Sequence, residues 1–190
     1  LSGIFKGTYP TRILSAFEPH LPKGWQDDFA TIQSPIDWVG LNYYTCKRIA
    51  PNGGAWPSHD EVDGPLPKTQ MGWEIYPEGL YHFLMRTKEM YSGDLPLFVT
   101  ENGMANADVF EHGEVNDPER IAYVDQHLHA VRRAIVDGAP VEGYFLWSLM
   151  DNFEWSLGYE KRFGAVHVDF DTLARTPKAS YYALQHALRC

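Results

Sequence analysis

A repeated order of buried strand, long polar loop and helix is the feature that most constrains how this chain can fold. Three short apolar runs, at 36–41, 97–101 and 141–147, are predicted strands, and long segments rich in Glu, Asn, Tyr and Trp follow them. The segments that precede strands are short, such as 137–140. Apolar runs of this length indicate strands of a parallel sheet, buried on both faces. Long loops after strands and short loops before them are typical of an α/β fold of the TIM (β/α)8 type.

A doubly wound parallel sheet is the alternative α/β architecture. Such a sheet is expected to carry a glycine-rich phosphate-binding loop after one of its strands. Neither G-x-G-x-x-G nor G-x-x-x-x-G-K occurs in the sequence. The sequence therefore favours a (β/α)8 barrel.

Two amphipathic helices are predicted between the strands. The first begins at Pro77, a residue suited to the first turn of a helix, and ends near Gly93. The second has Asp117 as its cap and Pro118 at its first helical position, and it ends at Gly138. Its apolar residues recur at intervals of three and four, which predicts one buried stripe: Ile121, Val124, Leu128, Val131 and Ile135.

The remaining segments are predicted to be short elements or irregular loops. Residues 1–34 fit short helices between turns, and 166–170 alternates like a short exposed strand. Thr176 is predicted to cap a final helix after Pro177, with three residues on one face: Tyr181, Leu184 and Leu188. Proline and glycine break the first of three predicted loops, which are 46–76, 106–116 and 148–165.

Charge and composition exclude several classes of partner. The formal net charge is −9, from 16 basic and 25 acidic residues, which argues against nucleic acid and anionic membrane surfaces. No apolar run approaches the roughly 18 residues that a membrane-spanning helix needs. Aromatic residues make up 14% of the chain, a density that suits a site stacking on sugar rings.

The cysteines and histidines predict no metal and no cofactor. Cys46 and Cys190 are far apart and lie in no metal or redox motif, so two free thiols in a reducing compartment are expected. This favours a cytoplasmic protein; no signal peptide is visible, although the chain does not begin with Met. His127 and His129 are two residues apart, which places them on different faces of a helix.

The predicted strand at 97–101 ends abruptly in Thr-Glu-Asn-Gly. A carboxylate is costly to bury, and active-site residues collect at the C-terminal ends of parallel strands. Glu101 is therefore a candidate catalytic residue, the alternative being that it is simply the first polar residue of a loop. Asn42 and Tyr44 follow the first predicted strand and share one of its faces, because side chains alternate along a strand.

Six motifs together resemble family 1 glycoside hydrolases, the β-glucosidase group. They contain Lys-Gly-Thr-Tyr-Pro, Asn-Tyr-Tyr-Thr, Gly-Trp-Glu-Ile-Tyr-Pro, Thr-Glu-Asn-Gly, Asp-Asn-Phe-Glu-Trp and Arg-Phe-Gly. The resemblance runs from end to end, with the motifs in family order: 4–10, 39–45, 71–80, 97–103, 143–155 and 161–164.

The resemblance implies a retaining β-glycosidase that hydrolyses terminal non-reducing β-D-glucosides with two carboxyl groups. It implies that Glu101 is the nucleophile and that Tyr44 hydrogen-bonds and orients it. A core role is the alternative for Tyr44 and Trp147, and a loop anchor is the alternative for Trp73. The residues implied in substrate binding are Asn42, Trp73, Trp147, Glu154, Trp155 and Phe163.

The resemblance also implies that residues 1–190 are the C-terminal part of one barrel domain, about three βα units long. A complete TIM barrel needs about 250 residues. The motif that carries the family's acid/base Glu is absent from the chain. We therefore expect the chain to need the N-terminal remainder of the barrel, or to self-associate, and to be inactive alone. A non-catalytic sugar-binding fragment and a truncated product are the alternatives.

Overall fold

The computed structural model describes residues 1–189. The chain begins with three short helices, α1 (Ser2–Lys6), α2 (Thr11–Phe17) and α3 (Phe29–Ile32), with two 3-10 turns between α2 and α3. This agrees with the short helices predicted for 1–34. The rest of the chain contains nine strands and three longer helices: β1 (Val39–Asn42), β2 (Arg48–Pro51), β3 (His59–Val62), α4 (Pro77–Thr87), β4 (Leu97–Asn102), β5 (Phe110–Glu111), β6 (Glu114–Val115), α5 (Pro118–Val136), β7 (Val141–Leu146), β8 (Val166–Val168), β9 (Arg175–Pro177) and α6 (Ala179–Ala187).

The central element is a three-stranded parallel sheet in the order β1–β4–β7. Val39 pairs with Leu97, and Leu97 pairs with Val141, so the three strands start level with one another. Helix α4 connects β1 to β4, and α5 connects β4 to β7. The predicted βα repeat is therefore present, and it brings three strand ends together at one edge of the sheet.

Only one face of the sheet is buried in this chain. Val39, Leu41, Leu97 and Val99 pack with residues of α4 and α5 into a single apolar core. On the opposite face Trp38 is 52% exposed and Phe145 is 57% exposed. The prediction of strands buried on both faces is thus wrong for the chain by itself, and the first strand begins at Val39 rather than at 36.

Two of the predicted loops contain antiparallel hairpins. Strand β2 pairs with β3 inside 46–76, and β5 pairs with β6 inside 106–116. Pro51 ends β2 opposite His59, and Gly53 and Gly54 lie in the turn. Part of the proline and glycine of 46–76 therefore lies at the hairpin turn and the rest follows β3. The sequence alone did not distinguish the hairpin from a loop.

The C-terminal elements differ from the prediction. Thr176 does not cap a helix, because Thr176 and Pro177 belong to β9, where Thr176 pairs with His167 of β8. Helix α6 starts at Ala179. The three residues of β8 are buried rather than exposed. Leu188 follows the helix and is 85% exposed, so it is not part of a buried face.

Helix α5 has the predicted limits, and of the predicted stripe Val124 and Val131 are buried while Ile121 and Leu128 are partly buried. Its buried residues are Arg120, Tyr123, Val124, His127, Ala130, Val131 and Ala134, whereas Ile135 is 47% exposed. Asp117 is at the N-cap position of the helix, but its side chain forms no capping hydrogen bond. Instead it accepts hydrogen bonds from Arg120 and Ser180. Arg120, Tyr123 and His127 are buried through hydrogen bonds to Asp108, Asn102 and the Tyr123 carbonyl, although Arg120 Nε and His127 Nε2 have no partner among the described residues; a count of apolar residues does not detect such burial.

Among residues 1–189, no helix is long and apolar enough to cross a membrane. Cys46 is a free thiol, and Cys190 lies outside the described residues. His127 is buried and His129 is exposed, which agrees with their predicted placement on different faces.

Candidate active site

Tyr44 and Glu101 meet at the C-terminal ends of β1 and β4. The register shifts between Leu41 and Asn42, so that Asn42 pairs with Glu101. The Tyr43 amide donates to the Glu101 carbonyl at 2.9 Å, and the Tyr44 hydroxyl donates to Glu101 Oε2 at 2.6 Å. Two residues 57 positions apart in sequence are thus joined by a short hydrogen bond.

The environment of Tyr44 keeps its hydroxyl protonated. Burial raises the pKa of Tyr44, and the hydrogen bond to Glu101 and the negative charges of Glu101 and Glu154 raise it further. A phenol whose pKa lies above its usual value of 10 remains a donor throughout the neutral range. Tyr44 can therefore hold the Glu101 carboxylate in one orientation.

Asn102 joins the three strand ends to helix α5. Its side chain is fully buried, and its Nδ2 donates to the Tyr43 carbonyl at 2.7 Å and to the Tyr123 hydroxyl at 3.1 Å. Its Oδ1 accepts from the Tyr144 hydroxyl at 2.6 Å. The Tyr123 hydroxyl in turn donates to the Tyr44 carbonyl at 3.0 Å. This network fixes the backbone beside both members of the Tyr44–Glu101 pair, and the sequence reasoning did not identify it.

The end of β7 lies against the turn that follows Glu101. The Trp147 amide donates to the Asn102 carbonyl at 2.9 Å. A Cβ atom at Gly103 would lie 1.9 Å from the Trp147 carbonyl oxygen. Glycine is therefore required for this close approach, which brings Trp147 next to the strand end that carries Glu101.

Three aromatic rings pack beside the carboxylate. The ring of Tyr44 lies 5.5 Å from Trp73 and 6.1 Å from Phe163, and the last two are 6.2 Å apart. Phe163 is 3% exposed and contacts both of the other rings. The structure thus brings together three predicted site residues from three separate segments.

Glu154 lies within electrostatic reach of Glu101. Burial raises the pKa of Glu154, and the charge of Glu101 raises it further. The neighbouring Trp155 is 82% exposed and packs little against the chain. Asn42 is exposed and its Oδ1 accepts from the Thr100 hydroxyl at 2.6 Å. All eight predicted site residues lie at the ends of β1, β4 and β7 or in the segments that follow these strands.

A cavity of about 750 Å³ lies beyond the aromatic rings. Tyr44, Trp73, Glu74 and Arg48 are among its lining residues, and Glu101 and Glu154 are not. Asn42 lines it as well, so the cavity lies beside the end of β1 and does not include Glu101 or Glu154. Within the described residues no group of three or more His, Cys, Asp or Glu side chains is arranged to hold a metal ion.

The profile of the family described as Glycosyl hydrolase family 1 matches residues 1–190. The chain belongs to glycosyl hydrolase family 1. A 1,4-beta-D-glucan glucohydrolase of Thermotoga neapolitana is 46% identical over all of this chain, and Beta-glucosidase A of Thermotoga maritima is 45% identical over 96% of it. A 6-phospho-beta-galactosidase of Leptotrichia buccalis is 37% identical over 96% of the chain.

Solved family 1 structures have the same fold over this chain. A family 1 β-glucosidase from Thermotoga maritima, in complex with isofagomine lactam, superposes with a TM-score of 0.94 at 42% identity over 99% of the chain. The same enzyme in complex with azafagomine gives a TM-score of 0.95.

The chain spans 43% and 41% of the two Thermotoga relatives and 42% of the first solved structure. Its parallel sheet corresponds to part of the family's TIM barrel.

Proposed function

We propose that the chain is the C-terminal part of a retaining β-glucosidase, with residues 1–190 contributing about three βα units to a single barrel domain. The observation that carries the proposal is the 2.6 Å hydrogen bond from Tyr44 to Glu101 at the ends of adjacent parallel strands, in a family 1 chain. We refer to this chain together with the remaining strands as the complete barrel.

Glu101 is the nucleophile in this proposal. One of its carboxylate oxygens forms a bond to the anomeric carbon while the bond from that carbon to the leaving oxygen breaks. A carboxylic acid from the rest of the barrel gives its proton to the leaving oxygen. The same group then removes a proton from water, the water oxygen bonds to the anomeric carbon while the bond from that carbon to Glu101 breaks, and the sugar leaves with the Glu101 carboxylate restored.

Tyr44 orients the nucleophile. Because burial and the charge of Glu101 raise the pKa of Tyr44, its hydroxyl keeps its proton and directs one oxygen of Glu101. The other oxygen is then available for attack on the sugar. Preorganisation of this kind lowers the barrier because no reorientation is needed during the reaction.

The remaining site residues hold the substrate. Glu154 and Trp155 bind the distal hydroxyls of the sugar, and Trp147 provides a platform under its ring. Asn42 lines the floor of the site. Trp73 lies on the leaving-group side, and Phe163 packs at the pocket edge, where its contacts with Trp73 and Tyr44 support it. No cofactor is needed for this chemistry.

Substitution of Glu101 by Ala in the complete barrel tests the proposal. The Glu101→Ala variant should lose turnover of an aryl β-glucoside, because no carboxylate can attack the anomeric carbon. Added azide should restore some activity and give a product of inverted configuration, since the small anion attacks in place of the carboxylate. The exposed Glu142, in β7, is the matched control, and Glu142→Ala should remain active. Near-normal hydrolysis by Glu101→Ala would remove the assignment.

A further inference from the structure

A buried cluster of charged side chains joins the segment after β7 to helices α5 and α6. Three carboxylates and three cations make up the cluster, so its formal charges cancel. The side chain of Arg162 is 22% exposed and the other five are fully buried. The members are Asp108, Asp117, Arg120, Asp151, Arg162 and Lys178.

Asp151 lies at the centre of the cluster. Lys178 Nζ donates to its Oδ1 at 2.8 Å, and Arg162 Nη1 donates to its Oδ2 at 2.6 Å. The Gly164 amide also donates to Oδ1 at 3.0 Å. Asp151 and Gly164 flank residues 152–161, which we call the glycone loop because it carries Glu154. One carboxylate therefore ties both ends of the glycone loop together.

The cluster also attaches the base of the glycone loop to the rest of the fold. Arg120 of α5 donates to the Arg162 carbonyl at 2.9 Å and to Asp108 at 2.8 Å. Lys178, just before α6, donates to Asp108 at 2.5 Å. Asp117 contacts Arg120 and accepts from the Ser180 hydroxyl. These charge-assisted bonds are among the stronger ones in proteins and fix the loop base relative to both helices.

The glycone loop itself is mostly exposed. Trp155 is 82% exposed, Phe153 is 60% exposed and Tyr159 is 54% exposed. Within the loop the Glu154 amide donates to the Gly158 carbonyl at 2.7 Å. The ring of Tyr159 contacts Phe153 at 5.4 Å and Phe170 at 4.4 Å, and the bonds at the base join this exposed loop to the helices, so the position of Glu154 depends on how the base is held.

We propose that Asp151 is a positioning residue that sets the place of Glu154 against the sugar and thereby determines recognition of the distal hydroxyls. This inference rests on the proposed function, in which Glu154 binds those hydroxyls. Asp151 does not itself contact the substrate. It acts through the glycone loop, whose two ends it joins.

The Asp151→Asn variant of the complete barrel tests the inference. Asparagine has nearly the same shape and can still accept from the Gly164 amide, but it gives Arg162 and Lys178 no negative charge. We expect kcat/KM for an aryl β-glucoside to fall about tenfold to hundredfold, mainly through KM, as on loss of a hydrogen bond to a charged group. For an aryl β-xyloside, which lacks the hydroxymethyl group, the fall should be less than about threefold.

Two further variants control for folding and for charge. Asp151→Asn combined with Lys178→Gln leaves the cluster neutral and should fold while showing the same selective loss. Asp169→Asn is the matched control: Asp169 is exposed, and it accepts hydrogen bonds from the backbone amides of Asp171 and Thr172. Asp169→Asn should leave kcat/KM unchanged for both substrates.

The outcomes separate this inference from the proposed function. A fall in kcat/KM that is confined to the glucoside supports Asp151 as a positioning residue. Equal losses on glucoside and xyloside, in both the single and the double variant, would overturn it and leave the proposed function intact. A wild-type complete barrel that hydrolyses neither substrate would overturn the proposed function and this inference together.

Discussion

At the scale of the residue, the position of Glu154 argues for a neutral sugar. Burial and the charge of Glu101 both raise the pKa of Glu154, so the site already disfavours additional negative charge. A phosphate dianion on the sugar would be repelled there, more strongly than in water because the local dielectric constant is lower. A relative from Leptotrichia buccalis is named a 6-phospho-beta-galactosidase, so the two kinds of substrate are a choice within the family.

We therefore predict that the complete barrel prefers an aryl β-glucoside to its 6-phosphate. Glu154→Ser should lower kcat/KM for the glucoside by about tenfold to hundredfold, the effect of losing a charged hydrogen bond. Glu160→Ser, an exposed position in the glycone loop, serves as the control. A wild-type preference for the phosphorylated substrate would show that the role proposed for Glu154 is wrong.

A second prediction at this scale concerns His127 and stability in acid. Burial lowers the pKa of His127 from 6.5 to about 4, and the bond to the Tyr123 carbonyl offsets only part of this. The unfolded chain therefore binds a proton below pH 6.5 that the folded chain does not bind until near pH 4. Acidification through this range should reduce the free energy of unfolding by up to about 1.4 kcal/mol per pH unit from this group.

Denaturant unfolding of the complete barrel between pH 7 and pH 4.5 measures this contribution. His127→Gln should flatten the pH dependence, because the titrating group is removed. His129→Gln, at an exposed position of the same helix, should keep the wild-type slope. An unchanged slope in His127→Gln would contradict the prediction.

The sequence drew attention to the proposed site residues more readily than to the buried residues that contact them. Glu101 was a candidate because it ends a short apolar run, and Tyr44 because the family resemblance implied it. Asn102 and Arg120 were not, because their burial depends on partners that are distant in sequence, such as Tyr144, 42 residues from Asn102. The spacing of apolar residues does not reveal a buried polar side chain, because its burial depends on a hydrogen-bond partner that the sequence does not identify.

At the scale of the element, the buried carboxylate of Glu74 fixes the 46–76 segment, which carries Trp73, through hydrogen bonds. Glu74 is 6% exposed and accepts from Arg48 Nε at 2.9 Å and from the Leu66 amide at 3.2 Å. This joins strand β2 to the end of the 46–76 segment. A Cβ at Gly64 would lie 1.8 Å from Glu74 Oε1, so there is no room for a side chain beside this contact.

Gly64→Ala should displace Glu74 and loosen the 46–76 segment. We expect a loss of about 1–3 kcal/mol of stability, as is typical of overpacking, and a higher KM for aryl glucosides through Trp73. Thermal unfolding and steady-state kinetics of the complete barrel measure the two effects. Gly54→Ala is the control, because a Cβ there would approach only the Asn52 side chain, at 3.3 Å or more. Equal behaviour of the two variants would refute the role of the Glu74 contact.

Long and regular secondary-structure elements were predicted from the sequence, and the short strands of the hairpins were not. Helices α4 and α5 and the three parallel strands were predicted because their apolar patterns are long or continuous. The hairpins were missed because their strands are two to four residues long and border proline and glycine. Thr176 and Pro177 match the signal for a helix start, but pairing with β8 holds this backbone in a strand.

At the scale of the whole molecule, the parallel sheet of this chain is open. Strands β1 and β7 are its two edges, and the uncovered face exposes Trp38 and Phe145. Unpaired edges and exposed aromatic surface favour association with other strands. In the proposed barrel, the remaining strands would cover this face and pair with both edges.

We predict that the 190-residue chain produced alone self-associates or is marginally stable, and does not hydrolyse glycosides. Light scattering and calorimetry of the chain, with and without the remaining strands supplied as a second polypeptide, measure this. Co-production should give a cooperative thermal transition and glycosidase activity. A monodisperse, cooperatively melting and active monomer of the chain alone would contradict the prediction.

The central claim, that Glu101 attacks the anomeric carbon, is tested most directly by trapping the covalent intermediate. A 2-deoxy-2-fluoro β-glucoside with a good leaving group should inactivate the complete barrel, because fluorine slows both steps and the good leaving group keeps the first faster than the second. Peptide mass spectrometry should then find one sugar attached to the side chain of Glu101. A sugar on Glu154 or on another residue, or turnover without a trapped intermediate and with inverted configuration, would contradict the account.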